Sequence, residues 1–260
     1  VFGDEHLRYD CVKIFYTGEN QFPDFNLYDY AIGFDRMEFG DRYFRLPIYY
    51  LNRYQKDFRL MQEKHKKPVP EKSGFCSFVY SNDRASEVRE RFFEQLSEYK
   101  PVSSGGRYRN NIGGPVADKL AFEQGHKFSF SFENSSYPGY CTEKLVQSFA
   151  AQTVPIYWGD PAVAETFNED AFINCNKYTS WDEVLETVKH IDSNPELYNR
   201  MLATPALKHP DEDSIEAKLK QLTEFICHII DQPQENALRY NRVYWGRRYV
   251  KRMRQHAKAY

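Results

Sequence analysis

The chain has 260 residues, of which 41% are hydrophobic and 17% are aromatic, and its formal net charge at pH 7 is −2. This composition allows one large or two small globular domains with a sizeable apolar core. No segment approaches the roughly 20 apolar residues of a membrane span, and the opening residues have neither the basic nor the apolar region of a signal peptide. We therefore expect a soluble globular protein. Its sequence lacks an initiator Met and reaches a strand-like run by Cys11, so we expect it to begin inside a domain.

The cysteines are scattered, odd in number and without a C-x-x-C pair. This pattern favours reduced thiols and a cytoplasmic setting over a disulfide framework. The cysteines are Cys11, Cys76, Cys141, Cys175 and Cys227.

Two apolar runs open the chain, at Val12–Tyr16 and at 29–35. Each predicts a strand that is buried on both faces. Residues 60–74 are polar, lysine-rich and contain two prolines, which predicts a linker or a domain boundary. We therefore expect an incomplete N-terminal domain at 1–68, a C-terminal domain at 73–232 and a separate tail at 233–260.

The C-terminal domain alternates strand patterns with helix patterns. This alternation predicts an α/β fold with a mainly parallel sheet covered on both faces. Strands are predicted at 75–82, 128–132, 153–159 and 171–175, and helices at 85–99, from Thr142, at 181–191, at 195–203 and at 214–230.

The segment after the second of these strands reads "FENSSYPGYCTEKL", from 132 to 145. Lys144 falls in the first turn of a helix, where the helix dipole disfavours a cation by roughly 0.3–1 kcal/mol. A phosphate held by Lys144 and the free N–H groups of the helix start would explain this choice. Glu143 would then turn to sugar hydroxyls. The alternative is that Glu143 satisfies the dipole and Lys144 is solvated.

Two further stretches carry groups suited to chemistry. The glycine-rich segment 103–114 contains Arg107 and Arg109, which could clamp phosphate oxygens or be solvated on a surface loop. Glu19 follows a buried strand and could serve as a general base, although a lone Glu in a turn is more often structural.

Sequence motifs of zinc sites and of serine hydrolases are absent, and a D-x-D spacing lies outside the predicted strands and helices. The seven histidines are dispersed without HExxH spacing, so no zinc site is expected, and there is no Gly-x-Ser-x-Gly elbow. A D-x-D spacing at 211–213 lies in a polar, proline-containing stretch and predicts a solvated loop.

These residues carry a family resemblance. The stretch 127–161 resembles the donor-binding signature of glycosyltransferase family 10, the alpha-1,3/1,4-fucosyltransferases. Residues 15–50, which begin "FYTGENQFPDFNLYDY", are similar to the bacterial, Helicobacter-type branch of that family. "GFCSFVYSN" at 74–82 and the Arg109-Asn110 pair also fit. The resemblance runs in order from about residue 11 to 205.

The resemblance implies a GT-B fold, with two Rossmann-like domains facing across a cleft and the N-terminal one incomplete here. It implies transfer of fucose from GDP-fucose to an N-acetyllactosamine-type acceptor, with no metal required. By position, Glu19 resembles the general base, and Arg109 and Lys144 resemble the cations that face the diphosphate. Further donor-binding positions are Asn134, Tyr140 and Glu143, and further donor-side positions are Ser81, Asn82 and Asn110. The alternatives are another GDP-sugar as donor, or a remnant that binds nucleotide sugar without catalysis.

The tail from Ala237 to Tyr260 has eight Lys or Arg residues, no acidic residue and several interleaved aromatic residues. It could contact an anionic membrane at its cytoplasmic face, as in bacterial family members. It could instead pack back on the N-terminal domain. A nucleic-acid partner is not expected.

Overall fold

The computed structural model describes residues 5–83, 86–241 and 244–257. The chain forms two compact units. The first unit contains Val1–Leu46 and Glu216–Tyr260, and the second unit contains Pro47–Ile215. The strands are β1 Ile14–Tyr16, β2 Tyr30–Gly33, β3 Tyr43–Arg45, β4 Gly74–Phe78, β5 Val102–Ser104, β6 His126–Phe132, β7 Val154–Trp158 and β8 Ile173–Asn174. The α-helices are α1 Gln55–Gln62, α2 Glu87–Tyr99, α3 Lys119–Gln124, α4 Glu143–Ala150, α5 Trp181–Ser193, α6 Pro195–Ala203, α7 Ile215–Ile230, α8 Gln234–Ala237 and α9 Tyr244–Ala257.

The first unit holds a three-stranded parallel sheet in the order β1-β2-β3. Every residue of β2 is buried, as predicted. The prediction that β1 is buried on both faces is wrong, since Ile14 is 38% and Tyr16 52% exposed. The reason is its place at the edge of the sheet: among the described strands β1 pairs only with β2, and only one side of the strand is covered.

The basic tail packs within the first unit. Asp29 is fully buried, and its Oδ1 accepts hydrogen bonds from the backbone N–H groups of Arg239 (2.6 Å) and Tyr240 (2.9 Å). The hydroxyl of Tyr249, on α9, donates to Asp24 Oδ2 at 2.5 Å. These contacts support the alternative in which the tail packs on N-terminal residues.

The second unit holds a five-stranded parallel sheet in the order β5-β4-β6-β7-β8. β6 lies at its centre, and both faces of β6 are covered: Phe128 and Phe132 are buried on one face, and Ser129 and Ser131 on the other. The serines are satisfied by other hydroxyls, since the Ser131 and Ser148 Oγ atoms are 2.6 Å apart. All five strands run in the same direction, so their carboxyl ends meet at one edge, where open α/β sheets bind ligands.

Side-chain caps fix the starts of three helices in the second unit. Ser86 accepts from Val88 N at the start of α2, Ser180 accepts from Glu183 N at the start of α5, and Asn194 accepts from Leu197 N at the start of α6. Each satisfies a backbone donor that the helix itself leaves unpaired. The predicted helices therefore begin close to where the sequence places them.

The compact units differ from the predicted domain boundaries, because residues 47–68 belong with the second unit and 216–260 with the first. The predicted linker at 60–74 contains the end of α1 and a 3-10 turn, Lys64–Lys66. Lys64 is buried, and its Nζ donates to Leu202 O at 2.8 Å. The composition predicted a linker or a domain boundary, but one lysine of the run is buried and anchors it.

We expect Lys64 to make stability depend on pH. Burial lowers the pKa of Lys64 to about 8, whereas the unfolded value is about 10.4. The unfolded chain therefore binds more protons between these two values, and stability rises with pH across that window. Relative to Lys64→Met, the parent should gain up to about 3 kcal/mol between roughly pH 7 and pH 10 in denaturant unfolding. The exposed control Lys66→Met should show no such trend; an equal trend would contradict the assignment.

Among the described residues, no helix is both long enough and apolar enough to cross a bilayer.

Candidate functional site

A buried carboxylate organises the start of α4. Glu133, directly after β6, is fully buried and accepts hydrogen bonds from Thr142 N and Thr142 Oγ1, both at 2.7 Å. Lys144 Nζ donates to Glu133 Oε2 and to Thr142 Oγ1, both at 2.8 Å. The ammonium in the first turn of α4 is thus balanced by a carboxylate of the protein itself.

The Lys144 ammonium stays charged in this setting. Burial lowers its pKa, but the carboxylates of Glu133 and Glu143 outweigh burial and raise the pKa above its ordinary value. Glu143 is the more distant of the two, with its Oε1 3.9 Å from Lys144 Nζ. An ammonium has three N–H donors, and the described contacts of Lys144 use two of them. A third donor remains for an anionic ligand.

The position of Glu133 depends on a glycine in the next strand-end loop. Glu133 N donates to Trp158 O at 2.8 Å, which extends the pairing of β6 and β7 by one residue. A Cβ added to Gly159 would lie 2.4 Å from Glu133 Cγ. Only glycine therefore allows the carboxylate to reach Thr142 and Lys144 at this place.

Thr142 stands at the N-cap of α4, as predicted, but its side chain makes no capping hydrogen bond. Its hydroxyl donates to Glu133 instead. The start of α4 therefore combines the positive end of the helix dipole, the ammonium of Lys144 and backbone N–H groups that Thr142 does not cap. This arrangement suits an anion such as a phosphate.

The loop between β6 and α4 is tied to the end of β7. Asp160 Oδ1 accepts from Gly139 N at 2.7 Å, and Ser136 Oγ donates to Gly159 O at 2.7 Å. Tyr140 follows in this loop and is 2% exposed. The structure therefore brings the predicted residues Tyr140, Glu143 and Lys144 into one loop-and-helix segment.

Arg89 joins the ends of β4 and β6, and its role was not predicted from the sequence. Its guanidinium donates to Asn134 Oδ1 at 3.4 Å and to Asn82 O, and lies 4.3 Å from the ring centroid of Tyr80. The predicted residues Asn134 and Asn82 therefore meet at this arginine, while Ser81 is exposed beside them. The result is a second fixed cation at the strand-end edge.

A signal for Arg89 was present in the sequence. Phe92, Phe93 and Leu96 form the buried face of α2, and Arg89 lies one turn before them on that face. An arginine at a core-facing position needs polar partners. Here those partners are groups at the ends of the strands.

Arg109 follows β5, in the loop that leads to α3. It has a φ of 52°, and its guanidinium donates to Glu90 and to Glu94, the latter at 2.7 Å. The hydrogen bonds that Arg109 donates to Glu90 and to Glu94 raise the pKa of Arg109, against the effect of burial. Within the described chain, none of its contacts is with Lys144 or Glu133. Glu90 and Glu94 lie four residues apart, on the polar face of α2. Their pairing with Arg109 was not predicted from the sequence.

Asn110 has a role in shaping the same loop. Its Nδ2 donates to Gly106 O at 2.8 Å, and its Oδ1 accepts from Gly114 N at 2.8 Å. Both hydrogen-bonding ends of the side chain are therefore used to close the loop between β5 and α3.

Glu19 lies in the first unit, shortly after β1, and is exposed. Its backbone forms a turn in which Glu19 N donates to Thr17 Oγ1 at 3.1 Å and Gln21 N donates to Glu19 O at 2.7 Å. The turn is therefore fixed by backbone atoms and Thr17.

The described part of the chain contains no cluster of three or more His, Cys, Asp or Glu side chains arranged to hold a metal ion.

Comparisons with known proteins match both parts of the chain. Residues 69–253 match glycosyltransferase family 10 (fucosyltransferase), C-terminal part. Residues 1–52 match the alpha-(1,3)-fucosyltransferase FucT N-terminal domain. The chain belongs to glycosyltransferase family 10. The family predicted from the motif around Lys144 is thus confirmed.

Family 10 relatives include alpha-(1,3)-fucosyltransferase FucT of Helicobacter pylori, which is 37% identical over 228 residues, covering 75% of this chain and 48% of that protein. They also include human 4-galactosyl-N-acetylglucosaminide 3-alpha-L-fucosyltransferase 9, 33% identical over 135 residues, covering 50% of this chain and 36% of that protein. The chain therefore spans about half or less of the length of these curated relatives.

Solved family 10 structures share the fold. A crystal structure of alpha1,3-fucosyltransferase with GDP-fucose aligns with a TM-score of 0.71 and 32% identity, covering 83% of this chain and 75% of that chain. A second, of alpha1,3-fucosyltransferase alone, gives a TM-score of 0.76 and 32% identity, covering 85% of this chain and 72% of that one. The α/β fold of GT-B type predicted from the sequence is confirmed.

Proposed function

We propose that this chain transfers L-fucose from GDP-fucose, with inversion, to the 3-OH of GlcNAc in a lactosamine-type glycan. The observation that carries the proposal is the Lys144 ammonium, held by Glu133 at the start of α4 with one donor to spare. Membership of family 10 supports the diphosphate of a GDP-sugar as the anion that this ammonium binds. The names of the relatives support fucose as the sugar and the 1,3 linkage.

In the proposed reaction, Glu19 takes the proton of the acceptor hydroxyl as that oxygen attacks C1 of fucose. The bond from C1 to the diphosphate breaks at the same time, and negative charge grows on the departing GDP. Lys144, the first-turn N–H groups of α4 and Arg89 are fixed before the reaction and can balance that charge. In well-studied oxyanion sites one such donor contributes about 2.7–4 kcal/mol. Fixed cations can fill this role, so the proposal requires no divalent metal.

The donor side of the site includes Tyr140 and Asn134 in this proposal. Glu143, at the first position of α4, binds hydroxyl groups of ribose or fucose, since a carboxylate would repel the diphosphate. Ser81 and Asn82 border the nucleotide beside Arg89.

We expect Arg89 rather than Arg109 to contribute to GDP affinity. Arg89→Lys keeps one charge but loses the planar set of donors that holds Asn134 and Asn82, so GDP should bind roughly 10-fold more weakly. Arg109→Lys should change GDP affinity less than about twofold, because the Arg109 guanidinium serves Glu90 and Glu94. Titration calorimetry of both variants with GDP checks this. The reverse order of affinities would restore Arg109 to the donor site.

Two alternatives keep the nucleotide but change the function: another GDP-sugar as donor, or nucleotide-sugar binding without catalysis. Titration calorimetry with GDP-fucose and GDP-mannose separates the first from our proposal. We expect tighter binding of GDP-fucose, and a preference for GDP-mannose would reject fucose as the sugar.

We also propose that the tail at 237–260 contacts an anionic membrane surface on the cytoplasmic side. Trp245 is 70% exposed, and Arg247, Arg248, Lys251 and Arg252 are exposed on the same helix, α9. A basic helix with an exposed indole suits an anionic interface. The chain should sediment with phosphatidylserine-containing vesicles and lose this binding in high salt. Equal binding to pure phosphatidylcholine vesicles, or none to either, would contradict the contact.

A further inference from the structure

A cavity of about 390 Å³ opens in the second unit beside the carboxyl ends of β7 and β8. Trp158, the last residue of β7, and Trp181, the first residue of α5, line it together with Tyr178. Asn176, Thr179 and Ser180 supply polar groups. Among the described residues that line the cavity, none is charged.

The two tryptophans are held in place by the core. The rings of Trp158 and Trp181 pack on Phe132 with centroid distances of 6.0 and 5.6 Å, and Trp181 also packs on Phe92 at 5.2 Å. Both indoles remain partly exposed. A ligand would therefore meet aromatic surfaces that are already fixed, which reduces the entropy lost on binding.

The polar groups of the cavity are oriented as well. Asn176 Nδ2 donates to Asn174 Oδ1 at 3.0 Å and to Asp160 O at 3.3 Å, and Thr179 Oγ1 donates to Glu183 at 2.9 Å. The hydroxyl of Tyr178 has no hydrogen-bond partner within the described part of the chain. It can therefore bond a ligand without breaking an existing contact.

We propose that this cavity binds one neutral hexopyranose ring of the glycan acceptor. A pyranose has an apolar C–H face that matches an indole ring, and hydroxyl groups around its edge that match neutral amide and hydroxyl groups. The uncharged lining does not suit a phosphate, whose charge would be left unbalanced there. The cavity is thus chemically distinct from the anion-binding start of α4.

The cavity also adjoins the donor loop. Asp160 links the two, because its backbone O accepts from Asn176 while its Oδ1 accepts from Gly139, in the loop that leads to α4. An acceptor sugar bound here would lie on the same strand-end edge as the proposed diphosphate position. This inference rests on the proposed function for the identity of the glycan, but the cavity's preference for a neutral sugar can be tested separately.

Tryptophan fluorescence tests the cavity directly. The chain has three tryptophans, so Trp245→Phe leaves only Trp158 and Trp181, the two in the cavity. We expect N-acetyllactosamine to change their emission saturably, with or without saturating GDP, and GDP alone to leave it unchanged. A response to GDP alone would assign the cavity to the nucleobase, and no response to N-acetyllactosamine in either condition would also overturn the inference.

Variants of Tyr178 separate binding from folding. Tyr178→Phe keeps the ring and should weaken N-acetyllactosamine binding roughly 2- to 10-fold through loss of one hydrogen bond; Tyr178→Ala should weaken it more. GDP affinity should stay within about twofold for Tyr178→Phe, and Tyr9→Phe, an exposed tyrosine of the first unit, serves as the control. Unchanged sugar affinity in Tyr178→Phe and Tyr178→Ala would reject the site. If these variants still transfer fucose with an unchanged acceptor KM, the cavity is not the acceptor site, but the proposed function stands. If the chain binds the sugar in the cavity but transfers no fucose, the cavity assignment stands and the proposed function is wrong.

Discussion

Glu19→Gln should slow fucosyl transfer by about 10²- to 10⁴-fold, the usual contribution of a general base, while GDP affinity changes less than about twofold. The amide has nearly the same shape as the carboxylate but cannot accept the proton of the acceptor hydroxyl. The turn that positions Glu19 is formed by its backbone and Thr17, so it should survive the substitution. GDP affinity should survive because the proposed nucleotide contacts all belong to the second unit.

Single-turnover transfer and GDP calorimetry together check this prediction. Glu38→Gln is a matched control, since Glu38 is also an exposed carboxylate of the first unit. It should change neither quantity. A normal transfer rate in Glu19→Gln would remove Glu19 as the base, and a collapse of GDP affinity would move Glu19 into the donor site.

Lys144→Met should have two effects, because Lys144 is proposed to serve both the fold and the ligand. Removing one partner of a buried ion pair costs about 3–5 kcal/mol of stability, and here it leaves the fully buried Glu133 with Thr142 alone. GDP should also bind about 10- to 100-fold more weakly, as expected for loss of a hydrogen bond between charged groups. Guanosine, which has no phosphate, should be far less affected.

The double variant Lys144→Met/Glu133→Gln separates the two effects. A neutral amide at position 133 carries no unpaired charge, so most of the stability should return in denaturant unfolding. GDP affinity should remain low, because the ammonium is still missing. Recovery of GDP affinity in the double variant would show that Lys144 acts only through the fold, and equal losses for GDP and guanosine would count against a phosphate contact.

The sequence predicted where the candidate site lies better than it predicted the contacts within it. Strand β6, the start of α4 at Thr142 and the residues Tyr140, Glu143 and Lys144 follow from local hydrophobic patterns and a family motif. The partner of Lys144 could not be predicted in this way. Glu133 reaches Lys144 only in the folded loop, through the close approach that Gly159 allows. The predicted phosphate and the observed carboxylate can share the ammonium, since Lys144 has a donor left.

Arg89 and Lys64 are two buried cations whose burial was not predicted from the sequence. Basic residues are usually exposed to solvent. Both side chains are nevertheless buried, Arg89 against the strand ends and Lys64 on a backbone oxygen. Single-residue patterns cannot reveal such positions, because a buried cation is stabilised by partners that lie far away in the sequence.

Strand β1 illustrates a third difficulty. Its apolar run matches that of a buried strand, but its place at the edge of the first sheet leaves two of its three residues exposed. Strand order is a property of the whole sheet, so a short apolar run alone cannot predict it.

The most direct test of the account is a product assay with the full chain, GDP-fucose and N-acetyllactosamine. We expect release of one GDP for each fucose transferred, and NMR of the product should show an alpha-linked fucose on the 3-OH of GlcNAc. If the chain binds GDP-fucose but yields no fucosylated product, or transfers mannose from GDP-mannose in its place, the proposed function is wrong.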